Sequence, residues 1–173
     1  MSPFSVDHLE IASDAVGRLV AGVGPGQWDA PTPCAEWTVR DLVTHLITVN
    51  RAFTAMLTGE EPPVPEDVVA AYRTSAAALR AAYDQPEHSM DGTPGATRLG
   101  WRISDLLTHA WDLSRATGQA LELPDDLVRQ ALDFVRTQLA GRQREGRFGP
   151  EQPAPSDAHA IDQLSAFLGR TVS

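Results

Sequence analysis

Two pairs of residues in this sequence have the types and spacing to do chemistry. Of the five histidines, His45 and His109 each follow an aspartate by four residues, as Asp41–His45 and Asp105–His109. On a helix that spacing puts both side chains on one face, with Cβ atoms roughly 5–6 Å apart, close enough to chelate one metal ion. His45 lies three residues after Leu42 and four before Val49, and His109 three after Leu106 and four before Leu113. Both therefore point inward. Asp41 falls in a first helical turn, where capping explains it. Asp105 is less completely explained that way, and a carboxylate beside an inward histidine needs a partner. The best triad is His45, Asp105 and His109. Three nitrogen and oxygen donors leave a coordination position open for water or substrate, which is the catalytic pattern of metal site. Asp112, three residues after His109, is either a fourth ligand or an acceptor that orients the imidazole. Two plainer readings fit the same spacing. An inward histidine is often a hydrogen-bonded core residue, and an Asp–His pair four apart is a common ion pair on a helix surface.

Other chemistry-bearing residues give weaker signals. Cys34, the sole cysteine, reads as a small buried apolar-like side chain and excludes both an intramolecular disulfide and a cysteine-based zinc cluster. Trp28, Trp37, Trp101 and Trp111 read as core or cap residues that could also line a pocket. Arg98, Arg102 and Arg115 flank the Asp105 helix and read as exposed charge. His159 could lean toward a pocket mouth; His8 and His88 read as surface residues. No Ser–His–Asp order, glycine-rich phosphate loop or HExxH motif is present.

Composition narrows the partners. The chain has 173 residues and a net charge of −9, with 23 acidic residues and 14 basic ones, all arginine. That balance lacks the basic footprint of a nucleic-acid binder and disfavours docking on an anionic membrane. No apolar run approaches the roughly 18 residues of a membrane span, and no signal peptide is read at the N-terminus. A cytoplasmic protein is expected.

The elements that must position these residues are helices. Alanine is abundant and β-branched runs are short, while glycine and proline clusters divide the chain into blocks. The first block spans about residues 5–23. The second opens at Thr38, which can pair with Asp41 in a capping box, with Trp37 and Leu42 placed as a hydrophobic staple. Its apolar stripe runs Leu42, His45, Leu46, Val49, Phe53, Met56, and Gly59 stops it. The third starts near Pro65-Glu66-Asp67, with the acids in its first turn, and reaches about Tyr83. Residues 85–97 read as loop. The fourth, about 99–117, is apolar almost all round and belongs inside a bundle. A fifth runs from Pro124 to Gly141, and a sixth spans about 156–168. Residues 142–155 read as exposed and mobile. The expectation is one all-α domain over residues 1–173, a four-helix bundle with two additional C-terminal helices. Dimerisation through a bundle face would cover the apolar fourth helix, as the C-terminal helices also could.

Residues 31–46, Pro-Thr-Pro-Cys-Ala-Glu-Trp-Thr-Val-Arg-Asp-Leu-Val-Thr-His-Leu, resemble the second-helix signature of the mycothiol-dependent maleylpyruvate isomerase-like branch of the DinB superfamily. Residues 105–118, Asp-Leu-Leu-Thr-His-Ala-Trp-Asp-Leu-Ser-Arg-Ala-Thr-Gly, resemble its second signature, and the tail Asp162–Arg170 is similar to that of other members. The resemblance covers nearly the whole chain. It implies a DinB-like bundle with an up-down-down-up course and a divalent metal, zinc or nickel. One histidine of the second helix and an acid-or-His plus His pair from a later helix would hold that metal. His45 matches the first ligand and His109 the last, and Asp105 stands where the isomerase has glutamate. The sequence is shorter than the isomerase and lacks its additional C-terminal domain, so the metal site carries over and the isomerase reaction itself does not. The function this implies is a metal-dependent transferase or isomerase that takes a small-molecule thiol such as mycothiol and an electrophilic substrate. The alternative is a non-catalytic metal-binding or interaction module.

Overall fold

Side-chain caps decide where several of the helices begin. In a computed structural model of the protein, which describes residues 4–34, 36–85, 93–144, 146 and 148–173, six helices run in order. They are α1 (Val6–Ala21), α2 (Val39–Thr58), α3 (Val68–Tyr83), α4 (Thr93–Thr117), α5 (Asp125–Leu139) and α6 (Ala160–Phe167). Among the described residues there is no strand, only an isolated bridge between Pro31 and Thr38. The Thr38–Asp41 box forms as the sequence requires: Thr38 N–H donates to Asp41 Oδ2 at 2.9 Å, and Asp41 N–H to Thr38 Oγ1 at 3.2 Å. Ser5 and His8 make the equivalent box at α1, with an imidazole in place of the usual Glu or Gln.

Three boundaries differ from the expectation. Pro65, Glu66 and Asp67 precede α3 and do not fill its first turn, because Asp67 is the N-cap and accepts from Ala70 N–H at 2.8 Å. The fourth helix begins at Thr93, so residues 93–97 are helical and not loop. A proline in the first turn, here Pro94, costs no helical hydrogen bond. The remainder of that loop, 86–92, lies outside the described residues, and so does His88. The sixth helix starts at Ala160, four residues later than expected.

Cross-helix contacts fix the course of the chain. Tyr72 Oη donates to the Ser13 carbonyl at 2.9 Å, and Arg80 reaches Glu10 at 3.2 Å, so α1 and α3 are antiparallel. His45 meets His109 while Asn50 meets Arg102, so α2 and α4 are antiparallel. Gln119, just past α4, donates to the Leu19 carbonyl near the end of α1, so those two helices run the same way. The course is up-down-down-up, with α5 and α6 packed on α4. As its all-round apolar pattern requires, α4 is the helix most enclosed: Leu99, Ile103, Leu106, Leu107, Ala110 and Leu113 are all fully buried. Each leucine or isoleucine among them contributes about 1.5–3 kcal/mol of hydrophobic stabilisation.

The buried face of α2 is Val39, Leu42, Val43, Leu46, Ile47, Asn50 and Thr54. Met56, expected on this face, is 49% exposed. The stripe drifts with the 3.6-residue period toward Asn50 and Thr54, whose polar groups bond internally: Thr54 Oγ1 to the Asn50 carbonyl and Asn50 Nδ2 to Ser75 Oγ. The 142–155 stretch, expected to be mobile, is anchored where it is described. Phe148 stacks on Trp101 with ring centroids 5.7 Å apart, and Arg144 donates to the carbonyls of Gly149 and Phe167.

Candidate metal centre

Antiparallel packing of α2 against α4 brings His45 opposite His109, with ring centroids 5.4 Å apart. Asp105, one turn before His109, places Oδ1 3.2 Å from His109 Nε2. One ligand atom each from His45, Asp105 and His109 all lie within 4.8 Å of one another. Metal–ligand distances near 2.0 Å in a tetrahedral set separate neighbouring donors by about 3.3 Å, so the Asp105–His109 edge already has that length. The donor chemistry, two imidazoles and one carboxylate, fits a borderline divalent cation with a position left for a further ligand.

Asp112 is placed for the second of the two roles the sequence left open. Its buried carboxylate accepts from His109 Nδ1–H at 2.9 Å. That bond directs Nε2 toward Asp105 and His45. Two further residues complete the cluster. Arg102, expected as exposed charge, is 1% exposed. It lies three residues before Asp105 and seven before His109, which puts it on the same inward face. Its Nη1 donates to Asp105 Oδ2 at 2.6 Å and its Nε to Asn50 Oδ1 at 3.2 Å. The second residue is Arg170, beyond α6, which pairs with Asp112 at 2.9 Å. Each aspartate of the cluster thus has its own arginine, as a buried carboxylate requires.

These contacts set the ionisation of the cluster. Burial alone would push the His109 imidazole down, but the charge and hydrogen bonds of Asp105 and Asp112 outweigh it and hold the pKa up at about 9. Burial would likewise raise Asp105, yet His109, Arg102 and His45 hold its carboxyl well below the usual carboxylate range. The half-buried His45 is shifted the other way, downward, first by desolvation.

The loop before α2 covers one side of the cluster. Thr32 Oγ1 donates to the Trp37 carbonyl at 2.8 Å, and Thr32 N–H donates to the same carbonyl. This turn brings the Trp37 ring to 4.6 Å from His45 and 6.2 Å from His109, centroid to centroid. Cys34, half-buried in the same turn, has its thiol pKa raised by burial, with Arg170 opposing. Its sulfur shares a second donor group with His109 and Asp112. His159 stands apart from the centre. It lines a cavity of about 590 Å³ on the other side of α4, with Trp111, Arg115 and Asp162. Arg115 is exposed, as expected, and pairs with Asp162.

The fold is a DinB-like all-α bundle. Residues 9–99 match the family of the mycothiol maleylpyruvate isomerase N-terminal domain, and the chain belongs to that family. The match takes in most of α1 and all of α2 and α3 with His45, and ends before Asp105. Two uncharacterized proteins of Mycobacterium tuberculosis, MT0763 of strain CDC 1551 and Rv0738 of strain H37Rv, are each 38% identical to this chain. Each alignment covers 93% of this chain and 94% of the relative. No solved structure matches the chain. Among the described residues, no helix is long and apolar enough to cross a membrane.

Proposed function

We propose that this chain is a divalent-metal-dependent enzyme that uses a low-molecular-weight thiol of the mycothiol type in a transferase or isomerase reaction. His45, Asp105 and His109 are its metal ligands, and residues 1–173 work as one domain. The observation that carries this reading is the convergence of the three donors from α2 and α4 on one point, with the His109 imidazole already oriented by Asp112. A zinc or nickel ion bound there supplies Lewis acidity and lets a thiol be held as thiolate at neutral pH. The chain's own residues do the rest. Asp112 keeps the His109 proton on Nδ1, Arg102 occupies Oδ2 of Asp105 so that Oδ1 is presented, and Trp37 shields the imidazoles from water. Burial raises the Cys34 thiol pKa, which makes it a poor source of the reactive sulfur. The sulfur must come from the cofactor.

A second reading, a helical module without catalysis, is favoured by one observation: Asp105 and His109 already satisfy each other at 3.2 Å. Metal analysis followed by thiol titration separates the two. Purified protein is expected to carry one equivalent of metal, and His45→Ala and His109→Ala to lose it. Stoichiometric metal retained in both variants would sink the ligand set. In cobalt-substituted protein the visible absorption is expected to shift on adding mycothiol. A spectrum that no thiol moves rejects thiol chemistry and leaves the module.

A further inference from the structure

We propose that Arg170, at the end of the chain's last helical segment, is a positioning residue of the centre. It locks Asp112 as the acceptor for His109 Nδ1–H and keeps that carboxylate out of the ligand set. The proposal rests on the reading of His109 as a ligand, but its geometry stands by itself.

Asp112 is a carboxylate within donor distance of His109 and Cys34, three residues along the same helix face. Left alone, it could swing toward a cation as readily as toward an imidazole N–H. Both of its oxygens are instead taken. Arg170 Nε donates to Oδ1 at 3.2 Å and Arg170 Nη2 to Oδ2 at 2.9 Å, while His109 Nδ1–H shares Oδ2 at 2.9 Å. A planar guanidinium bound through two nitrogens fixes the plane of the carboxylate as well as its charge.

The guanidinium is held just as firmly. Arg170 Nη1 donates to the Leu168 carbonyl at 3.1 Å, and its backbone N–H to the Ser165 carbonyl at 2.9 Å. The last turn of α6 therefore dictates where Asp112 sits, and Asp112 dictates which imidazole nitrogen of His109 faces the cluster. An Asp–His–metal arrangement of this kind depends on its outer partner by about 10–100-fold in metal affinity.

The test uses the full chain with Arg170→Gln, Arg170→Lys and Asp112→Asn. Zinc affinity is measured by chelator competition, and the His109 imidazole protons are followed by nitrogen-15-edited NMR. Circular dichroism and thermal melting report on folding. Arg170→Gln is expected to weaken zinc binding about 10–100-fold and to speed exchange of the Nδ1 proton with water. Asp112→Asn should do the same, with no additive loss in the double variant. Arg170→Lys keeps the charge without the two-pronged contact, should recover part of both signals, and carries the test if Arg170→Gln fails to fold. Unchanged zinc affinity and an unchanged Nδ1 proton in folded Arg170→Gln would overturn the proposal. If wild-type protein binds no zinc, yet its Nδ1 proton still depends on Arg170, the positioning role stands and the metal reading falls.

Discussion

The two arginines of the cluster are not interchangeable with surface charge, and Arg102 shows why. It is buried under the centre with its charge balanced by Asp105, whose side chain is 27% exposed. Removing one member of a buried pair strands the other, at a cost of up to about 3–5 kcal/mol, whereas replacing both with matched neutral groups is often nearly neutral. The partial exposure of Asp105 lets water soften the penalty. Asp105→Asn is therefore expected to destabilise the chelator-treated protein by about 1–3 kcal/mol, and the double variant with Arg102→Met to recover most of that. Urea unfolding of the four proteins in the cycle measures the coupling. A double variant no more stable than Asp105→Asn alone would mean that Arg102 is held by Asn50 and packing. At this scale the sequence was partly legible. The approach of His45, Asp105 and His109 to one another was legible because the two histidines sit on apolar stripes and Asp105 lies one turn before His109. Arg102 lies one turn before Asp105 in the same way, but a charged residue at a helix flank reads as solvated unless its position relative to Asp105 is counted. Arg170 had no such signal, since it reaches Asp112 from 58 residues away.

At the scale of elements, the sequence was most readable where local chemistry decides the outcome, as at the Thr38–Asp41 box and at Gly59, which ends α2 in the left-handed region. It was least readable where tertiary contacts decide, as at the exposed Met56 and the anchored 142–155 stretch. The end of α6 joins both kinds of control. Gly169 adopts φ +97°, and a Cβ there would lie 2.8 Å from the backbone Cα and N of Gly149. Backbone cannot move aside as a flexible side chain would. Gly169→Ala thus adds an overlap of about 1–3 kcal/mol to a conformational penalty of about 1–2 kcal/mol. Gly59, at φ +82°, has nothing within 4 Å of such a Cβ, so Gly59→Ala carries the conformational penalty alone. Denaturant melts of the two variants are expected to differ by at least about 1 kcal/mol in that order. Because Gly169 immediately precedes Arg170, only Gly169→Ala should also weaken metal binding. Equal losses of stability would show that the 142–155 stretch yields to make room.

For the whole molecule, the centre makes stability depend on pH in a way that metal should reverse. In the chelator-treated protein, burial lowers the His109 pKa, but Asp105 and Asp112 more than compensate and raise it from the model-compound value of 6.5 to about 9. Protonated His109 is thus favoured in the folded state. Its contribution is fully present below pH 6.5 and is lost as pH rises through about 9. His45 is shifted downward, chiefly by desolvation, so its contribution is present above pH 6.5 and lost as pH falls. Asp105, shifted downward against its own burial by His109 and Arg102, adds a further loss in acid below its ordinary pKa of 3.8. Without metal, the melting temperature should peak near pH 6.5 and fall toward pH 9. A divalent ion needs the Nε2 lone pair and so displaces the proton from His109. Binding should release protons below pH 9 and tighten as pH rises. Saturating zinc at about 100 times its dissociation constant adds about 2.7 kcal/mol, and that gain should flatten the alkaline decline. Melting curves from pH 6 to 9, with zinc or with chelator, check both signs, and His109→Ala should show neither the decline nor its rescue. A chelator-treated protein whose stability holds level across that range would mean that His109 is neutral in the fold, bonded through Nδ1 alone.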